Sequence, residues 1–571
     1  MPENLSEQEK VKRINYRLSE LISIRQPWEP IWQEAIDFTG PRKVGIQSVM
    51  GNTQEAIKTG QLMYDGTAAS ALQLYADGLQ GYTIAASFPW FKTGIPYSLP
   101  SVGMANRRDF IKKVDDLPEV KEYLEAKEEV LYGAFRRSNL YDEVPAFFYS
   151  GLQIGTAVLY AEEDIDGGRT IFSDRHPAEY YIAENHFGIV DTVFRVFNMT
   201  VKQLEERFGI DNLTTDIKTE LKNGRLGGIH EVIHAVMPKK DFYGVGNYAR
   251  PWVSIYKLKK ENKILSESGY SYFPYIVWRY RKNSFETYGR GPAIDAMVEI
   301  LGLNQISKDL LQASHNATFG VWSAPEEMRG KVRINAKGIN YYEDANRQIK
   351  QINQDIKFPY AKDREERKIQ LVKDFFHVDF FLMLQQTNRE MTAYEVAERT
   401  GEKAILAGPM LGRLYSDAFN PLIDIVDFIE TRAGRMPPPP DVLVELAGKN
   451  IEIDFIGPLA EAQKRIFKSR GINTLMETIL PWAQIDQEIL DNIDRDALIQ
   501  EIGAANSVSP KIVNSQEKVD AIRAKRKQEQ MAMAAAQMAT EAAKAVPSLN
   551  QPVQAGSPLE AMDKAASEGA A

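Results

Sequence analysis

The chain has 571 residues, a formal net charge of −9, 44% hydrophobic residues and 26% charged residues. This composition is typical of a soluble protein with a large core, and the negative charge argues against tight static wrapping of DNA. Cysteine is absent, which excludes disulfides, thiolate metal sites and cysteine nucleophiles and favours maturation in a reducing cytoplasm. No apolar run is long enough to span a membrane, and the polar N-terminus is unlike a signal peptide.

The first 160 residues are predicted to be mainly helical, because apolar side chains recur at helical spacing. Prolines at Gln26–Pro30 and at Gly40–Pro41 end the first two helices. The last helix of this region leads through Gly155 into a strand. The predicted helices are a stretch within the first 25 residues, 31–38, 64–79, 116–140 and a stretch from 144.

Residues 170–280 change to a period close to two. Segments such as Tyr180–Ala183 and Trp252–Tyr256 are rich in β-branched and aromatic residues and are bounded by Gly, Asn and Pro. This region is predicted to form the β-rich part of an α+β domain.

The pattern becomes helical again after Tyr288–Pro292. Pro292 suits the first turn of a helix predicted over 292–317. Residues 318–358 are predicted to form short strands and turns, and a second helix follows over 362–376. The sequence therefore predicts a helix–insert–helix unit.

A long helix is predicted from 392 to 433, with an interruption at Gly408 and Pro409. Proline removes one helical hydrogen bond, so this pair is predicted to let the helix bend. Pro437–Pro440 is predicted to be an extended spacer before a strand pair. That pair covers Val442–Leu446 and Ile451–Phe455. Helices are predicted over 459–530, and residues 531–571 are predicted to begin helical and end disordered.

One segment matches an enzyme motif. His230–His234 reads H-E-V-I-H, the zinc-protease pattern in which two histidines one helical turn apart hold the metal. The surrounding residues alternate as in a strand, where residues four apart are about 13 Å from each other. The sequence therefore favours a strand with two partly buried histidines over a zinc site.

Two polar stretches are candidate contacts with DNA or with a partner protein. The first is a basic stretch with no acidic residue between 328 and 342. The second is a run of six polar residues between two predicted helices. The simpler interpretation of the basic stretch is a solvated surface strand, and that of the polar run is a plain surface turn. The members are Arg329, Lys331, Arg333 and Lys337 in the basic stretch and Gln385, Gln386, Thr387, Asn388, Arg389 and Glu390 in the polar run.

An ordered set of short motifs resembles the head-to-tail connector (portal) family of short-tailed bacteriophages. The likeness runs from about residue 10 to residue 460 in the same order along the chain. The motifs are Arg25–Trp32, Tyr64–Ala68, Pro89–Phe91, Gly155–Tyr160, Tyr288–Pro292, Leu303–Asn304, Met391–Val396, Gly408–Pro409 and Arg413–Leu414.

The resemblance implies an α+β, mostly helical subunit of the portal type. It assigns the polar run to a loop in the DNA channel and the basic stretch to a clip that faces partner proteins. The implied domains are a wing over 1–290, stem helix 1 over 291–317, a clip over 318–360, stem helix 2 over 361–382, a channel loop over 383–392, a second wing part over 393–458, a crown over 459–530 and a tail over 531–571.

The resemblance further implies a ring of about twelve copies at one capsid vertex, assembled in the host cytoplasm and retained in the virion. Such a ring conducts double-stranded DNA during packaging and ejection and requires no cofactor, metal or enzymatic activity of its own. Its implied partners are other copies of the chain, the terminase large subunit, tail adaptor or nozzle proteins, and the major capsid and scaffolding proteins, but no membrane. The absence of a G-x-x-x-x-G-K-[ST] loop is consistent with a separate packaging motor.

Two alternatives remain at the level of sequence. One is a zinc-dependent hydrolase that uses the segment His230–His234. The other is an oligomeric virion adaptor that has no DNA channel. Metal analysis tests the first alternative, and the width of the channel in an assembled ring tests the second.

Overall fold

The computed structural model describes residues 5–40, 63–95, 117–164, 166–244, 246, 248–319, 321–326, 329, 332, 349–352, 358–385, 408–447, 452–457, 498 and 516–545. The chain divides into two compact units, Met1–Gln463 and Lys464–Ala571. Within the described ranges, every helix is too short or too polar to cross a lipid bilayer.

The described residues of the first unit form two antiparallel sheets and two antiparallel strand pairs. Its strands are β1 Phe91–Gly94, β2 Thr156–Asp164, β3 Arg169–Arg175, β4 Tyr180–Glu184, β5 Val190–Thr200, β6 Ile229–Pro238, β7 Trp252–Leu258, β8 Ile264–Tyr270, β9 Tyr275–Arg279, β10 Val321–Ser323, β11 Lys350–Ile352 and β12 Glu452–Phe455. The five-stranded sheet has the order β4-β5-β6-β7-β8, and the three-stranded sheet has the order β3-β2-β9. The strand pairs are β1–β12 and β10–β11. Strand structure over 170–280 is therefore confirmed.

The described residues also form helices in both units. They are α1 Glu7–Arg25, α2 Glu29–Thr39, α3 Thr67–Thr83, α4 Pro118–Arg137, α5 Leu140–Ile154, α6 Val201–Phe208, α7 Thr215–Lys222, α8 Lys239–Tyr243, α9 Pro292–Asp295, α10 Met297–Phe319, α11 Phe358–Phe375, α12 Val378–Gln385, α13 Gly408–Leu414, α14 Asn420–Arg432 and α15 Asp441–Ala447 in the first unit, and α16 Gln516–Ala545 in the second. A π-helical segment, Tyr415–Phe419, joins α13 to α14. The predicted helices of the N-terminal region are confirmed.

The two sheets stack face to face, and helices cover their outer faces. On β2, Val158 and Tyr160 belong to the core between the sheets, whereas Leu159 points to the helices α3, α5 and α14. This alternation follows from the two-residue period of a strand. The helix α1 covers the outer face of the five-stranded sheet through buried Ile14 and Leu18. The first unit is therefore layered as helix, sheet, sheet and helices.

The turn from α5 into β2 depends on one glycine. Gly155 has φ +85°, a left-handed conformation that side chains other than glycine rarely adopt. A Cβ atom at this position would overlap the backbone of Arg290. The carbonyl oxygen of Gly155 also accepts a hydrogen bond from the amide of Tyr280 at 3.0 Å. The helix-to-strand change predicted at Gly155 is confirmed.

The predicted strand at Val442–Leu446 is wrong, because these residues lie in the helix α15. Val442 and Val444 are both exposed, so the alternating apolar pattern does not mark a buried sheet face. The amides of Leu443 and Val444 donate to the carbonyl oxygen of Pro440 at 3.0 and 3.2 Å. The end of the proline run therefore starts a helix. The other predicted strand of this pair is confirmed as β12, which pairs with β1.

In the second unit, the described structure is mainly the helix α16, which has 30 residues. It confirms that the region after residue 531 begins helical. The helices predicted between 459 and 515 lie outside the described residues, apart from residue 498.

Candidate functional site

The helices α10 and α11 pack side by side and carry the strands β10 and β11 between them. Ser307 Oγ on α10 donates to Glu365 Oε1 on α11 at 2.8 Å. Lys368 on α11 forms an ion pair with Glu299 on α10. The strands pair antiparallel, with Val321 opposite Ile352. The segment between the helices therefore leaves and returns on paired strands, which confirms the predicted helix–insert–helix arrangement.

One face of α10 is exposed and rich in amides. Gln305, Asp309 and Gln312 are exposed and spaced four and three residues apart, so they lie on the same face of the helix. Gln305 Nε2 donates to Asp309 Oδ1 at 2.8 Å. These three side chains offer hydrogen-bonding groups with one formal charge among them.

The exposed face of α11 carries charges of both signs. Lys362 and Glu366 form an ion pair at 3.8 Å between two exposed side chains. Ion pairs of this kind contribute little to stability. The exposed charged residues of its first half are Lys362, Asp363, Arg364, Glu366 and Arg367. Three positive and two negative charges therefore give this face a small positive balance.

The predicted basic stretch is only partly described. Arg329 lies in an exposed turn, and its amide donates to the carbonyl oxygen of Glu326 at 3.1 Å. Lys331, Arg333 and Lys337 lie outside the described residues. The prediction that these four residues face DNA or a partner protein stays a prediction.

The predicted channel loop begins where α12 ends. Gln385 is the last residue of α12 rather than the first residue of a loop. The other five predicted loop residues, Gln386, Thr387, Asn388, Arg389 and Glu390, lie outside the described residues. The prediction of a DNA-contacting loop is therefore not tested.

A sharp change of direction separates α11 from α12. His377 adopts φ +52°, a conformation that is uncommon for residues other than glycine. Its ring stands edge-on to Tyr75 of α3, with 5.6 Å between the ring centroids. Phe381 of α12 packs against the same Tyr75 at 5.3 Å and lies over Gly78. The helix α3 therefore determines the direction in which α12 leaves α11.

A cleft of about 560 Å³ lies between α12 and α13. Its lining includes three cationic side chains, Arg281, Lys282 and Arg413. Two acidic side chains, Asp374 near the end of α11 and Asp379 at the start of α12, also line the cleft. The cleft is therefore lined by side chains of both signs of charge. It lies between α12, which ends at residue 385, and α13, which begins at residue 408.

The predicted bend is at the start of a described helix. Gly408 and Pro409 form the first residues of α13, where the missing amide hydrogen of proline costs no hydrogen bond. Residues 392–407 lie outside the described residues, so a bend at Gly408–Pro409 stays a prediction. The irregularity that the structure describes is the π-helical segment Tyr415–Phe419, which the sequence did not indicate.

Arg279 joins several parts of the first unit. Its side chain is 5% exposed and forms an ion pair with Glu184. Its Nη2 donates to the carbonyl oxygen of Gly188 at 2.8 Å, and its Nη1 lies 3.4 Å from that of Thr287. Asp417, in the π-helical segment, lies 4.0 Å from Arg279 Nε, and burial raises the pKa of its carboxyl group. Sequence reasoning missed this arrangement, because its members are far apart in the chain.

The H-E-V-I-H segment lies on β6, which confirms the strand predicted from its alternating pattern. His230 Nε2 lies 3.1 Å from Glu220 Oε2, and His234 points into the core between the sheets. Since the two histidines are in a strand, they cannot share a metal ion as they would on a helix. Within the described parts of the chain, no group of three or more His, Asp or Glu side chains could hold a metal.

His234 is held by hydrogen bonds and stacking. Its Nδ1 lies 2.8 Å from the hydroxyl of Tyr275, and its Nε2 lies 3.0 Å from Ser254 Oγ. Its ring stacks on Tyr256 with 3.9 Å between centroids and 4° between planes. Burial lowers the pKa of His234 well below its usual value, and nearby positive charges add to this effect. These charges belong to Arg207, Arg195 and Arg175.

Residues 11–513 match the model of the family described as "Bacteriophage head to tail connecting protein", so the chain belongs to that family. Two curated relatives match along nearly their whole length. The "Portal protein" of Salmonella phage epsilon15 is 30% identical over 560 residues, which are 95% of this chain and 96% of that protein. The "Probable portal protein" of Bordetella phage BPP-1 is 27% identical over 542 residues, which are 92% of this chain and 93% of that protein.

Proposed function

We propose that this chain is the portal subunit of a phage and forms a ring of about twelve copies at one capsid vertex. Double-stranded DNA passes through the ring during packaging and ejection. The observation that carries the proposal is the family match over residues 11–513, together with similarity to two portal proteins over more than nine tenths of their length.

The paired helices α10 and α11 form the stem of this ring and line its channel. The amide-rich face of Gln305, Asp309 and Gln312 suits a wall that DNA slides past, because it brings few fixed positive charges to the phosphates. Affinity for DNA grows with the number of phosphates that Lys and Arg neutralise. This face of α10 therefore guides the duplex without holding it, and it reads no base sequence.

The strand pair β10–β11 and the basic stretch around it form the clip. Arg329, Lys331, Arg333 and Lys337 face the terminase large subunit during packaging and tail adaptor or nozzle proteins afterwards. The loop from Gln385 to Glu390 contacts DNA in the channel. The remaining partners are the major capsid and scaffolding proteins, and the complex stays at the portal vertex of the virion after assembly in the host cytoplasm.

Electron microscopy of the purified full chain tests this proposal. We expect rings of about twelve subunits with a central channel of at least about 20 Å, wide enough for duplex DNA. A chain that stays monomeric or dimeric at all concentrations would overturn the proposal. Rings with a channel too narrow for duplex DNA would instead favour an adaptor without a DNA channel. Zinc bound stoichiometrically and lost in His230→Ala would favour the hydrolase alternative.

A further inference from the structure

One lysine is fully buried beneath the N-terminal helix. Lys257, near the end of β7, has an exposed fraction of 0%. Val253 and Ile255 on the same strand belong to the core that α1 covers, and the two-residue period of a strand places Lys257 on that face. Lysine is almost never fully buried without a partner. A buried ammonium group of this kind needs hydrogen-bond acceptors inside the fold.

The acceptors around Lys257 are two neutral amide side chains. Its Nζ donates to Asn15 Oδ1 on α1 and to Asn262 Oδ1 in the turn between β7 and β8, both at 2.6 Å. Asn15 Nδ2 also donates to Asn262 Oδ1 at 3.1 Å. Both asparagines are exposed. The lysine is therefore separated from solvent by these two side chains, one of which belongs to α1.

The backbone is irregular on both sides of this contact. The register of β7 against β8 shifts between Tyr256 and Lys257, and such bulges redirect a side chain. Asn262 adopts φ +54°, a left-handed conformation that is uncommon outside glycine but that asparagine tolerates. These two irregularities bring the ends of Lys257 and Asn262 together, so the contact is a property of the fold rather than a chance meeting of surface side chains.

The charged groups of the surrounding elements have other partners. On the neighbouring strands, apolar Ile233 and Ile264 lie opposite Lys257. The charged and titratable groups nearby pair as Lys10 with Glu267, Glu7 with Lys263 and Lys259 with Glu231, while Arg13 donates to the carbonyl oxygen of Phe242 and Tyr243 donates to Glu267. Burial alone lowers the pKa of Lys257 to about 8, since none of these groups supports its ammonium form.

The two halves of α1 are attached to the sheet differently. In the second half, Leu21 is fully buried, and Arg25, 2% exposed, donates to three backbone carbonyl oxygens around the start of β4. In the first half, Glu7–Asn15, the one buried residue is Ile14. The ion pairs of this half with β8 and its turn join partly exposed side chains, and such pairs contribute little. The first half of α1 is therefore the part that opens more readily.

We propose that the first half of α1, Glu7–Asn15, is a latch over Lys257 that tightens when the lysine loses its proton and loosens when the lysine is protonated. Closing the latch buries the amine under Asn15 and Asn262, and opening it returns the amine to water. Water stabilises the ammonium form more than the neutral amine, so protonation favours the open latch. The latch is a property of the single subunit and does not rest on the proposed ring.

The latch should tighten as the pH rises. With the latch open, the lysine has the ordinary pKa of about 10.4, and with the latch closed its pKa is about 8. Between these two values closing the latch releases a proton, so the closed fraction grows with pH. The ratio of closed to open latch should therefore rise about tenfold between pH 7 and 9.

Hydrogen exchange of the α1 amides in the full chain measures this ratio, once it is corrected for the intrinsic exchange rate at each pH. Lys257→Met replaces the buried amine by an apolar side chain. We expect the protection of Glu7–Asn15 at pH 7 to increase about tenfold or more and to lose its dependence on pH. Lys259→Met is the matched control, because Lys259 is 37% exposed and paired with Glu231. Unchanged protection in Lys257→Met, or an equal increase in Lys259→Met, would overturn the inference.

A double-mutant cycle tests the contact itself. Asn15→Ala leaves the buried ammonium group with one acceptor, so we expect the protection of the first half of α1 to fall about tenfold or more. In the Lys257→Met background the same substitution should change it by less than about twofold, because no buried charge is left. An equal effect in both backgrounds would mean that Asn15 acts on the helix alone and that the latch does not exist.

The parent chain provides a test without any substitution. The closed-to-open ratio of the first half of α1 should rise between pH 7 and 9, whereas exchange in α5 reports unfolding of the whole unit and serves as the reference. A ratio that stays constant over this range, or that changes in parallel with α5, would overturn the inference even if Lys257→Met failed to fold.

Discussion

Arg279 and Glu184 form an ion pair between the last residue of β9 and the last residue of β4, with side chains only 5% and 16% exposed. The pair connects the three-stranded sheet to the five-stranded sheet. It also fixes the hairpin loop after Glu184, because Arg279 donates to the carbonyl oxygen of Gly188. Arg279 thus ties the two sheets together at one point and holds the loop that follows β4.

Replacing Arg279 should destabilise the first unit strongly. Arg279→Ala removes the cation that Glu184 and Asp417 share, so that of the cations paired with Glu184 only Lys282 is left. Breaking a buried ion pair on one side costs about 3–5 kcal/mol. Urea unfolding followed by tryptophan fluorescence measures this change. Arg281→Ala removes an exposed arginine two residues away and is the control, for which we expect about 1 kcal/mol or less. Equal effects of the two substitutions would contradict the role assigned to Arg279.

The stability of the chain should fall in acid because of His234. Burial holds the folded-state pKa of this histidine well below the value of about 6.5 in the unfolded chain. Below pH 6.5 the unfolded state binds a proton that the folded state does not, so stability is lost as the pH falls. Each pH unit below 6.5 then costs roughly 1 kcal/mol for as long as His234 stays neutral in the folded state.

Urea midpoints between pH 5 and 8 measure the contribution of His234. His234→Gln should lower stability at pH 8 and flatten the dependence between pH 5 and 6.5. His230→Gln is the matched control on the same strand, because His230 is partly exposed beside Glu220. An unchanged pH dependence in His234→Gln would show that other groups cause the loss in acid.

Substitution at Gly155 should be costly, whereas the same substitution in α13 should not. Gly155→Ala forces a Cβ atom against the backbone of Arg290 in a left-handed conformation, and we expect a loss of about 2–4 kcal/mol. Gly412→Ala lies in a helix with open space around it, and we expect a gain of about 0.5–1 kcal/mol. Thermal unfolding of the two variants measures both effects. A tolerated Gly155→Ala would mean that the turn can rearrange.

Substitutions in the predicted channel loop should affect DNA retention rather than assembly. Arg389→Ala combined with Glu390→Ala removes both charges of the run, so contacts with the phosphates in the channel should weaken. We expect rings of normal size and filled heads that lose DNA faster than those with the parent chain. Quantifying the DNA retained in purified heads over time checks this expectation. Gln305→Ala combined with Gln312→Ala tests the channel wall by the same readout. Unchanged retention in the loop variant would count against a gating role.

Sequence periodicity was sufficient to predict those helices and strands whose apolar residues, spaced with the period of the element, face the core. The strand at His230–His234 was predictable, since one face of β6 packs on the other sheet and its side chains alternate. The helix at Val442–Val444 was not, because a short apolar run fits either structure and both valines are exposed. The helix there begins directly after Pro440, whose carbonyl oxygen accepts hydrogen bonds from Leu443 and Val444, and the segment has no neighbouring strand to pair with among the described residues.

The sequence by itself determined the α+β class, most helix and strand positions, the turn at Gly155 and membership of the connector family. It did so because these features depend on local periodicity, on turn chemistry, and on motifs in a fixed order. Only the tertiary structure decided which charges meet inside the protein. Arg279 and Glu184 are 95 residues apart. An ion pair between such distant residues produces no repeating pattern in the sequence from which it could be predicted.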